Sequence, residues 1–244
     1  MTERHLRYGI VGCGMMGREH IRNINLLDNA SIAAILEPDA DMRSTAAKLA
    51  PNATFVEDVS AMAQRDDIDA LVIASPNHLH IDQIEMLSAN PRPLLVEKPL
   101  YTDTAQAARL EAIAASYKAP VWVAMEYRYM PAVRRLIDEI PASAGDLKML
   151  TIREHRFPFL AKIGDWNRFN SNTGGTLVEK CCHFFDLMRL ITGGEAVRVM
   201  ASAGQAVNHL DERYEGKVPD IWDHGFVLVD FDNGKRAMLE LCMF

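Results

Sequence analysis

The chain has 244 residues, of which 49% are hydrophobic and 24% are charged. These values are ordinary for a globular protein and allow one large domain or two small ones. The net charge of −7, with no run of basic residues, argues against a general nucleic-acid binder. No apolar segment approaches the length of a membrane span, and residues 1–7 lack the apolar core of a signal peptide. The cysteines lack Cys-x-x-Cys spacing, which favours reduced thiols in a cytoplasmic protein: Cys13, Cys181, Cys182 and Cys242.

A glycine motif near the start of the chain organises the sequence. An apolar run ends in Gly-x-Gly-x-x-Gly within residues 8–17, and an amphipathic segment follows at residues 18–27. Strand, glycine turn and helix in this order are typical of dinucleotide binding. Gly12 permits the tight turn, Gly14 lets the backbone approach a pyrophosphate, and Gly17 allows the helix to pack closely on the strand. The start of the helix would then offer N–H groups to the phosphates.

An acidic residue supports the nucleotide interpretation. A second apolar run, residues 31–36, ends in Glu37, 20 residues after Gly17, where a carboxylate can bind the two ribose hydroxyls of NAD. A carboxylate repels a 2′-phosphate, so Glu37 favours NAD, although Arg43 nearby leaves NADP open. The alternative is a glycine-rich turn without a ligand. The predicted cofactor contacts of this region are Gly12, Cys13, Gly14, Met15, Met16, Gly17 and Glu37.

The rest of the first half alternates short apolar runs with helical patterns. Continuous apolar runs at residues 70–74 and 94–96 predict strands that are buried on both faces. Strands and helices at this spacing predict right-handed βαβ units and a doubly wound parallel sheet, the Rossmann fold. We expect this NAD(P)-binding domain to cover residues 1–124. The other predicted elements are helices at 41–50, 59–65, 81–89 and 104–117 and strands at 54–56 and 121–125.

Polar residues follow one of these buried strands, at the edge where ligands bind in an open parallel sheet. Ser75, Pro76 and Asn77 come directly after the strand, and we expect Asn77 to hydrogen-bond a ribose or a carboxamide. His80 begins the next helix and is a candidate for approaching the nicotinamide, with a solvated histidine as the alternative. All of these residues are therefore predicted to bind the cofactor.

The next strand ends in Glu97 and Lys98, followed by a proline that stiffens the backbone. Both residues are predicted to line the cofactor cleft. The ammonium group of Lys98 could stabilise the oxygen of a reacting alcohol or carbonyl. A solvated lysine at the end of a strand is the alternative.

The second half of the sequence has a different character and predicts an α+β domain over residues 125–244. Residues 174–191 predict one helix, which ends at a glycine pair. Asn233-Gly234 is a strong hairpin signal and predicts a mostly antiparallel open sheet. The final apolar strand has no polar tail, so we expect a truncated form of a longer protein. The other predicted elements are a helix after Pro131, an irregular loop at 157–173 and strands at 147–155, 197–207, 225–232 and 235–244.

Three titratable residues of the predicted helix share one face. Glu179 and His183 are at i,i+4, and Asp186 is at i,i+3 from His183. A carboxylate beside an imidazole raises its basicity, which suits a general base for a hydroxyl proton. Zinc is a less favoured alternative, because it would need a third ligand such as His155 or Asp186. A purely structural Glu–His pair also remains open, and the neighbouring cysteines are expected to be packing residues.

These motifs form a specific combination, by which the chain resembles the Gfo/Idh/MocA oxidoreductase family (glucose–fructose oxidoreductase, inositol dehydrogenase and relatives) over nearly its whole length. The resemblance implies an active site between two domains and a C-terminal sheet that often builds dimers or tetramers. It also implies that His183 is the acid/base and that Lys98 polarises the substrate oxygen or tunes the proton relay. The carboxylate of Glu179 would then have an orienting role. The residues that carry the resemblance are Gly12 to Gly17, Pro76-Asn77, His80, Glu97-Lys98-Pro99, Arg128-Tyr129-Met130-Pro131, Trp166, Gly174-Gly175, Glu179, His183 and Asp186.

The sequence departs from the family pattern at two neighbouring residues and in length. The family commonly has Asp where this chain has Glu179, and a small residue where it has Lys180. One extra methylene moves a carboxylate by more than about 1 Å, so we expect a substrate pocket unlike that of an ordinary inositol dehydrogenase. Lys180 could bind an acidic substrate group or face solvent. Family members usually continue for roughly another hundred residues, which supports the expected truncation.

The sequence therefore predicts an NAD-dependent dehydrogenase that acts on a secondary hydroxyl of a sugar, cyclitol or related polyol. The alternatives are an inactive NAD(P)-binding regulator of the same fold and a reductase of an imine or enal. We expect no metal, no nucleic acid and no membrane partner, and a homodimer or homotetramer through the C-terminal sheet. The predicted substrate contacts are Lys98, Arg128, Tyr129, His155, Trp166, Asn167, Glu179 and His183.

Overall fold

The computed structural model describes residues 4–143 and 145–244. The backbone contacts divide the chain into two compact units, Met1–Ala124 and Met125–Phe244. Each unit has its own apolar core. Within the described residues, no helix is both long enough and apolar enough to cross a membrane.

The first unit contains a six-stranded parallel sheet flanked by helices. Its strands are β1 (Leu6–Val11), β2 (Ala30–Leu36), β3 (Thr54–Val56), β4 (Ala70–Ile73), β5 (Leu94–Val96) and β6 (Val121–Val123). Its helices are α1 (Met15–Ile24), α2 (Ala40–Leu49), α3 (Val59–Ala63), α4 (His80–Leu87) and α5 (Thr104–Ser116). The strand order is β3-β2-β1-β4-β5-β6. It reverses between β1 and β4, as in dinucleotide-binding Rossmann sheets, and confirms the predicted fold.

The core of this unit follows from the continuous apolar runs of the sequence. Ile10, Ile35 and Ile73, from three neighbouring strands, have no exposed surface, since helices cover both faces of the sheet. Helix α1 begins at Met15 rather than at residue 18, because the glycine motif leads directly into the first helical turn. The glycine motif therefore lies at the carboxyl end of β1, beside the point where the strand order reverses.

The second unit contains a four-stranded sheet with the order β7-β10-β9-β8. The strands are β7 (Met149–His155), β8 (Ala196–Gly204), β9 (His224–Phe231) and β10 (Arg236–Cys242). The helices are α6 (Pro131–Ser143), α7 (Asn170–Thr173), α8 (Thr176–Glu179) and α9 (Cys182–Thr192), and 3-10 turns cover Glu126–Tyr129 and Ile163–Arg168. The pairs β8–β9 and β9–β10 are antiparallel, as predicted, whereas β7 lies parallel to β10.

One face of this sheet is covered and the other is exposed. Phe184 and Met188 of α9 pack in one cluster with Val227, Leu239 and other residues of β9 and β10. On the opposite face, Phe226 is 55% exposed. Strand residues therefore alternate between a buried core face and a solvent face.

The prediction of one continuous helix over residues 174–191 is wrong. Helix α8 ends at Glu179 and helix α9 begins at Cys182. Where the two meet, the N–H of Cys181 bonds to the carbonyl of Thr176, five residues back, at 3.4 Å. This wider turn lets the side chain of Lys180 enter the protein interior, where it is only 6% exposed. The contacts of Lys180 with residues distant in the sequence explain why local periodicity missed the break.

Candidate active site

The glycine turn of the first unit has room for glycine alone at two positions. Gly12 has a φ of +90°, and a Cβ there would lie 2.7 Å from the backbone N of Ser75. A Cβ on Gly17 would lie 2.0 Å from the carbonyl oxygen of Gly12. A Cβ on Gly14 would meet nothing within 4 Å. Gly12 and Gly17 thus close the turn, while Gly14 leaves an open space in front of it.

The N-terminus of α1 is suited to hold a phosphate. Its N-cap residue is Gly14, which has no side chain to cap the first N–H groups, and the first turn contains no acidic residue. The helix dipole adds a partial positive charge at this end. Met15, at the first helical position, is 49% exposed. The N–H groups of Met15 and Met16 and the open space at Gly14 fit the pyrophosphate of a dinucleotide.

Glu37 is fixed beside the glycine turn by two backbone N–H groups. Its carboxylate accepts hydrogen bonds from the N–H of Cys13 at 2.5 Å and from the N–H of Asp39 at 2.9 Å. A carboxylate has further acceptor sites, so Glu37 can still accept the ribose hydroxyls. The N–H of Cys13 is occupied, and the Cys13 thiol is buried, with its pKa raised to about 12 by burial and by Glu37. The N–H of Cys13 thus supports Glu37, and a contact of Cys13 with the cofactor stays a prediction.

The basic residue that left NADP open is directed toward β3. The guanidinium of Arg43 lies over the ring of Phe55, 4.8 Å from its centroid, and pairs with Glu57 at 3.6 Å. These contacts hold its charge on the outer strand of the sheet. Glu37 remains the charged group at the end of β2, which agrees with NAD as the cofactor.

The loop that carries Lys98 is attached to the glycine helix by a residue that sequence reasoning missed. His20 of α1 bonds through Nε2 to Oε1 of Glu97 at 2.7 Å, and both side chains are largely buried. The other carboxylate oxygen of Glu97 accepts the N–H of Lys98 at 3.3 Å. His20 lies one turn into the predicted helix, on the face that carries Gly17, and this spacing was the available signal. Glu97 thus supports the loop, and its direct cofactor contact stays a prediction.

His80 is held by two backbone carbonyls, and its approach to the nicotinamide stays a prediction. The ring is fully buried, with Nδ1 2.9 Å from the carbonyl oxygen of Pro99 and Nε2 3.1 Å from that of Ser75. His80 therefore joins the loops after β4 and β5 and acts as a positioning residue. Ser75 also bonds through Oγ to Gln83 at 2.6 Å, and Asn77 is 4% exposed. Cofactor contacts of Ser75, Pro76 and Asn77 remain predictions.

In the second unit, His183 is held against an aromatic ring. The imidazole is 3% exposed and stacks on the ring of Tyr127, with centroids 4.2 Å apart and planes within 7°. Its Nε2 lies 4.0 Å from Oε1 of Glu126. A buried ring with a fixed plane and a nearby carboxylate has the features of a general base.

The structure answers the question left open for Lys180. Its Nζ donates to the hydroxyl oxygen of Tyr127 at 2.6 Å and pairs with Oε1 of Glu154 at 3.2 Å. Lys180 is therefore an internal group that does not face solvent. Glu179 is half-buried. Because the helix breaks after it, helical spacing no longer pairs Glu179 with His183, and its catalytic role stays a prediction.

Two predicted substrate contacts are occupied by other groups. The guanidinium of Arg128 makes a bidentate pair with Asp186, with Nε 2.6 Å from Oδ2. Asn167 is 2% exposed and donates to the carbonyl of Leu160 at 3.0 Å. Asn167 thus has an internal partner, and Arg128 can offer a substrate only the N–H groups that Asp186 does not use. Both substrate contacts stay predictions. Trp166 is half-buried and Tyr129 is exposed, so both remain candidate contacts.

The structure places His155 on the exposed face of the sheet, and its substrate contact stays a prediction. His155 pairs through Nε2 with Glu240 at 3.0 Å on the exposed face of the sheet. Its neighbour Glu154 points to the opposite face, where it meets Lys180. Alternation along β7 therefore puts His155 on the side away from His183.

Among the described residues, no three His, Cys, Asp or Glu side chains are grouped to hold a metal ion. Burial raises the pKa of the Cys181 thiol to about 12, as expected of a packing residue. Glu126 and Tyr127 were missed by sequence reasoning, although they come immediately before the segment Arg128-Tyr129-Met130-Pro131 that the sequence singles out.

Comparison with known proteins agrees with this geometry. Residues 6–125 match the family model GFO_IDH_MocA, described as an oxidoreductase family with an NAD-binding Rossmann fold, and residues 142–244 match the C-terminal alpha/beta domain of the same family. The rhizopine catabolism protein MocA of Rhizobium meliloti is 27% identical over 96% of this chain and 70% of its own length. Inositol 2-dehydrogenase of Rhizobium meliloti strain 1021 is 27% identical over 96% of this chain and 68% of its own length.

A solved structure supports the fold independently. The myo-inositol dehydrogenase of Lactobacillus casei, crystallised with NAD(H) and myo-inositol, superimposes with a TM-score of 0.79 at 20% identity, over 98% of this chain and 68% of the other. Both halves of the sequence match consecutive domains of one family, and the glycine turn and the strand order have the form that its NAD-binding domain requires. The chain therefore belongs to the Gfo/Idh/MocA family of NAD-dependent oxidoreductases.

Proposed function

We propose that the protein oxidises a secondary hydroxyl of a sugar, cyclitol or related polyol with NAD. The observation that carries the proposal is a buried imidazole, His183, on a chain whose other unit has a dinucleotide-binding turn. The inositol 2-dehydrogenase and MocA relatives support this substrate class. We further propose a cytoplasmic location, which four free cysteines and an NAD cofactor support.

The proposed roles follow from the chemistry of each side chain. NAD, when bound, supplies the hydride acceptor. His183 removes the hydroxyl proton at Nε2, and the negative charge of Glu126, 4.0 Å away, stabilises the imidazolium that forms. The stack on Tyr127 fixes the plane of the imidazole. The ammonium of Lys98 stabilises the developing negative charge on the substrate oxygen, and the Glu97–His20 contact holds the loop that carries it.

A substrate panel tests this function. We expect NADH formation, followed by its absorbance, when the protein is mixed with NAD and one member of a panel of inositols, sugars and sugar acids. We expect a preference for NAD over NADP, because Glu37 lies where a 2′-phosphate would be repelled. Tight NADH binding without turnover on any alcohol would instead favour a regulator. Turnover limited to imines or enals would favour a reductase.

We also propose that two copies associate through the exposed face of the C-terminal sheet. Apolar side chains occupy the middle of this face, with Phe226 55% and Leu228 45% exposed. Ion pairs flank them, with Asp230 between two arginines on one side and Arg153 on Glu240 on the other. A two-fold interface uses the same patch on both copies, so the apolar centre of this face would meet its own counterpart. A second copy of this chain is therefore the occupant that fits it.

Replacing Leu228 by glutamate tests this association. The side chain is already partly exposed, so the variant should fold, but its charge opposes burial against a second copy. We expect the molar mass from light scattering to fall from that of an oligomer to that of a monomer. Leu26→Glu, at a residue of the first unit that is 81% exposed, should leave the mass unchanged. A wild-type protein that is monomeric at every concentration would contradict the proposal.

A further inference from the structure

Lys180 is a charged residue in the interior of the second unit. Its side chain is 8% exposed, and its Nζ lies 4.9 Å from the ring centroid of Tyr127 and 5.3 Å from that of Phe184. The ammonium donates to the Tyr127 hydroxyl at 2.6 Å and pairs with Glu154 at 3.2 Å. Burying a lysine in this way is costly unless its charge is compensated. The partners of Lys180 therefore compensate a positive charge that is buried in this unit.

Tyr127 connects this charge to the candidate base. The same ring whose hydroxyl contacts Lys180 stacks on His183, with the two ring centroids 4.2 Å apart. Tyr127 belongs to a 3-10 turn that contacts α9 with three consecutive residues. Glu126 lies near His183, Tyr127 stacks on the same histidine, and Arg128 pairs with Asp186. Lys180 lies in the break between α8 and α9, so one side chain holds the turn against the start of α9.

We propose that Lys180 is a positioning residue for His183, which holds Tyr127 against the imidazole and places a fixed positive charge near it. The charge acts together with Glu154: the pair sets the local field in which His183 takes up its proton. The kinetic part of this inference rests on the proposed function, whereas the effect on the imidazole itself does not. No substrate contact is assigned to Lys180.

The other charged and titratable groups around His183 come from known elements. The 3-10 turn contributes Glu126, Tyr127 and Arg128, of which Arg128 is neutralised by Asp186 of α9. Strand β7 contributes Glu154 through Lys180. The residues of β10 that pack into this core, among them Leu239 and Leu241, are apolar. Cys181 and Cys182 adjoin the imidazole on its own chain, and burial keeps the Cys181 thiol protonated.

Removing the positive or the negative charge of the Lys180–Glu154 pair should shift the pKa of His183 in opposite directions, and this provides the test. The pKa of His183 is measured by NMR titration of the ¹⁵N-labelled imidazole in the full chain without substrate, and the signal is assigned by its loss in His183→Gln. In Lys180→Met a nearby cation is lost, so the imidazolium is less opposed and the pKa should rise by about 0.5 or more. In Glu154→Gln an anion is lost, and the pKa should fall. The double variant Lys180→Met/Glu154→Gln should return close to the wild-type value.

The opposite signs separate an electrostatic role from simple damage to the fold. Lys148→Met removes an exposed lysine of the same unit, paired with Asp146, and should leave the titration unchanged. If Lys180→Met alone does not fold because Glu154 is left buried without a partner, the double variant and Glu154→Gln still form a pair to compare. Shifts of the same sign in both single variants, or no shift in either, would overturn the proposal.

The activity of the same variants links the inference to the reaction. If the protein is a dehydrogenase, the acid limb of the pH profile of kcat/KM for alcohol oxidation should follow the NMR values. It should move to higher pH in Lys180→Met and to lower pH in Glu154→Gln. NMR shifts of opposite sign without any turnover would support the positioning role and count against the proposed function alone.

Discussion

Replacing Gly17 by alanine should abolish NADH binding. The added Cβ would lie 2.0 Å from the carbonyl oxygen of Gly12, so the glycine turn and α1 must move apart. Overpacking against backbone atoms cannot be relieved by a rotamer change, and we expect a loss of roughly 3 kcal/mol in the free energy of unfolding. Fluorescence titration should give no NADH binding at concentrations that saturate the wild-type protein, and the thermal midpoint should fall.

Gly14→Ala is the matched variant within the same motif. Gly14 has a φ of −60°, and its Cβ would meet nothing within 4 Å, so the ligand-free protein should keep its thermal midpoint. If a pyrophosphate occupies the open space there, the methyl group should weaken NADH binding by about tenfold or more. Full NADH affinity in Gly14→Ala would refute this placement of the cofactor, and a stable Gly17→Ala protein would refute the close packing.

Replacing His183 by glutamine should stop the reaction and leave the cofactor bound. The amide keeps the approximate volume and polarity of the side chain but cannot serve as a base, so kcat should fall by about a thousandfold. The dinucleotide-binding turn belongs to the other unit, and NADH affinity should therefore stay near the wild-type value. Stopped-flow and steady-state assays on the same substrate measure both quantities.

His155→Gln is the control for this experiment. The sequence presents both histidines as substrate contacts, but His155 pairs with Glu240 on the exposed face of the sheet. Its substitution should change kcat by less than about twofold. Equal losses in the two variants would show that the face assigned to His155 is wrong. Equal retention of activity would remove His183 from the mechanism.

The fold could be predicted because its signals are local. The strands Thr54–Val56 and Leu94–Val96 form where their apolar residues indicated. The Gly-x-Gly-x-x-Gly spacing predicted the turn itself, although one of its tight contacts, from Gly12 to the backbone of Ser75, joins residues far apart in the sequence. In such segments periodicity and turn chemistry agree with the tertiary structure.

The candidate site was less predictable because its contacts are long-range. Lys180 and Tyr127 are 53 positions apart, and their bond accompanies a break in a helix that helical spacing predicts to be continuous. Likewise, Glu126 lies near His183 only because the turn after β6 packs against α9. The alternation along β7 predicted that the strand has two different faces. Which of these faces meets α9 depends on how β7 pairs with β10. Each of these features needs tertiary packing.

The position of β10 has a consequence for how the protein is made. Among the described strands β10 comes latest in the chain, yet it lies between β7 and β9, and Arg153 meets Glu240 across 87 positions. On the ribosome, β7 must therefore wait without a strand partner until β10 emerges, whereas the strands of the first unit can already pair. Loop closure over such a distance is slow compared with hairpin formation between β9 and β10. The nascent second unit is thus the stage at which chaperones would be most needed.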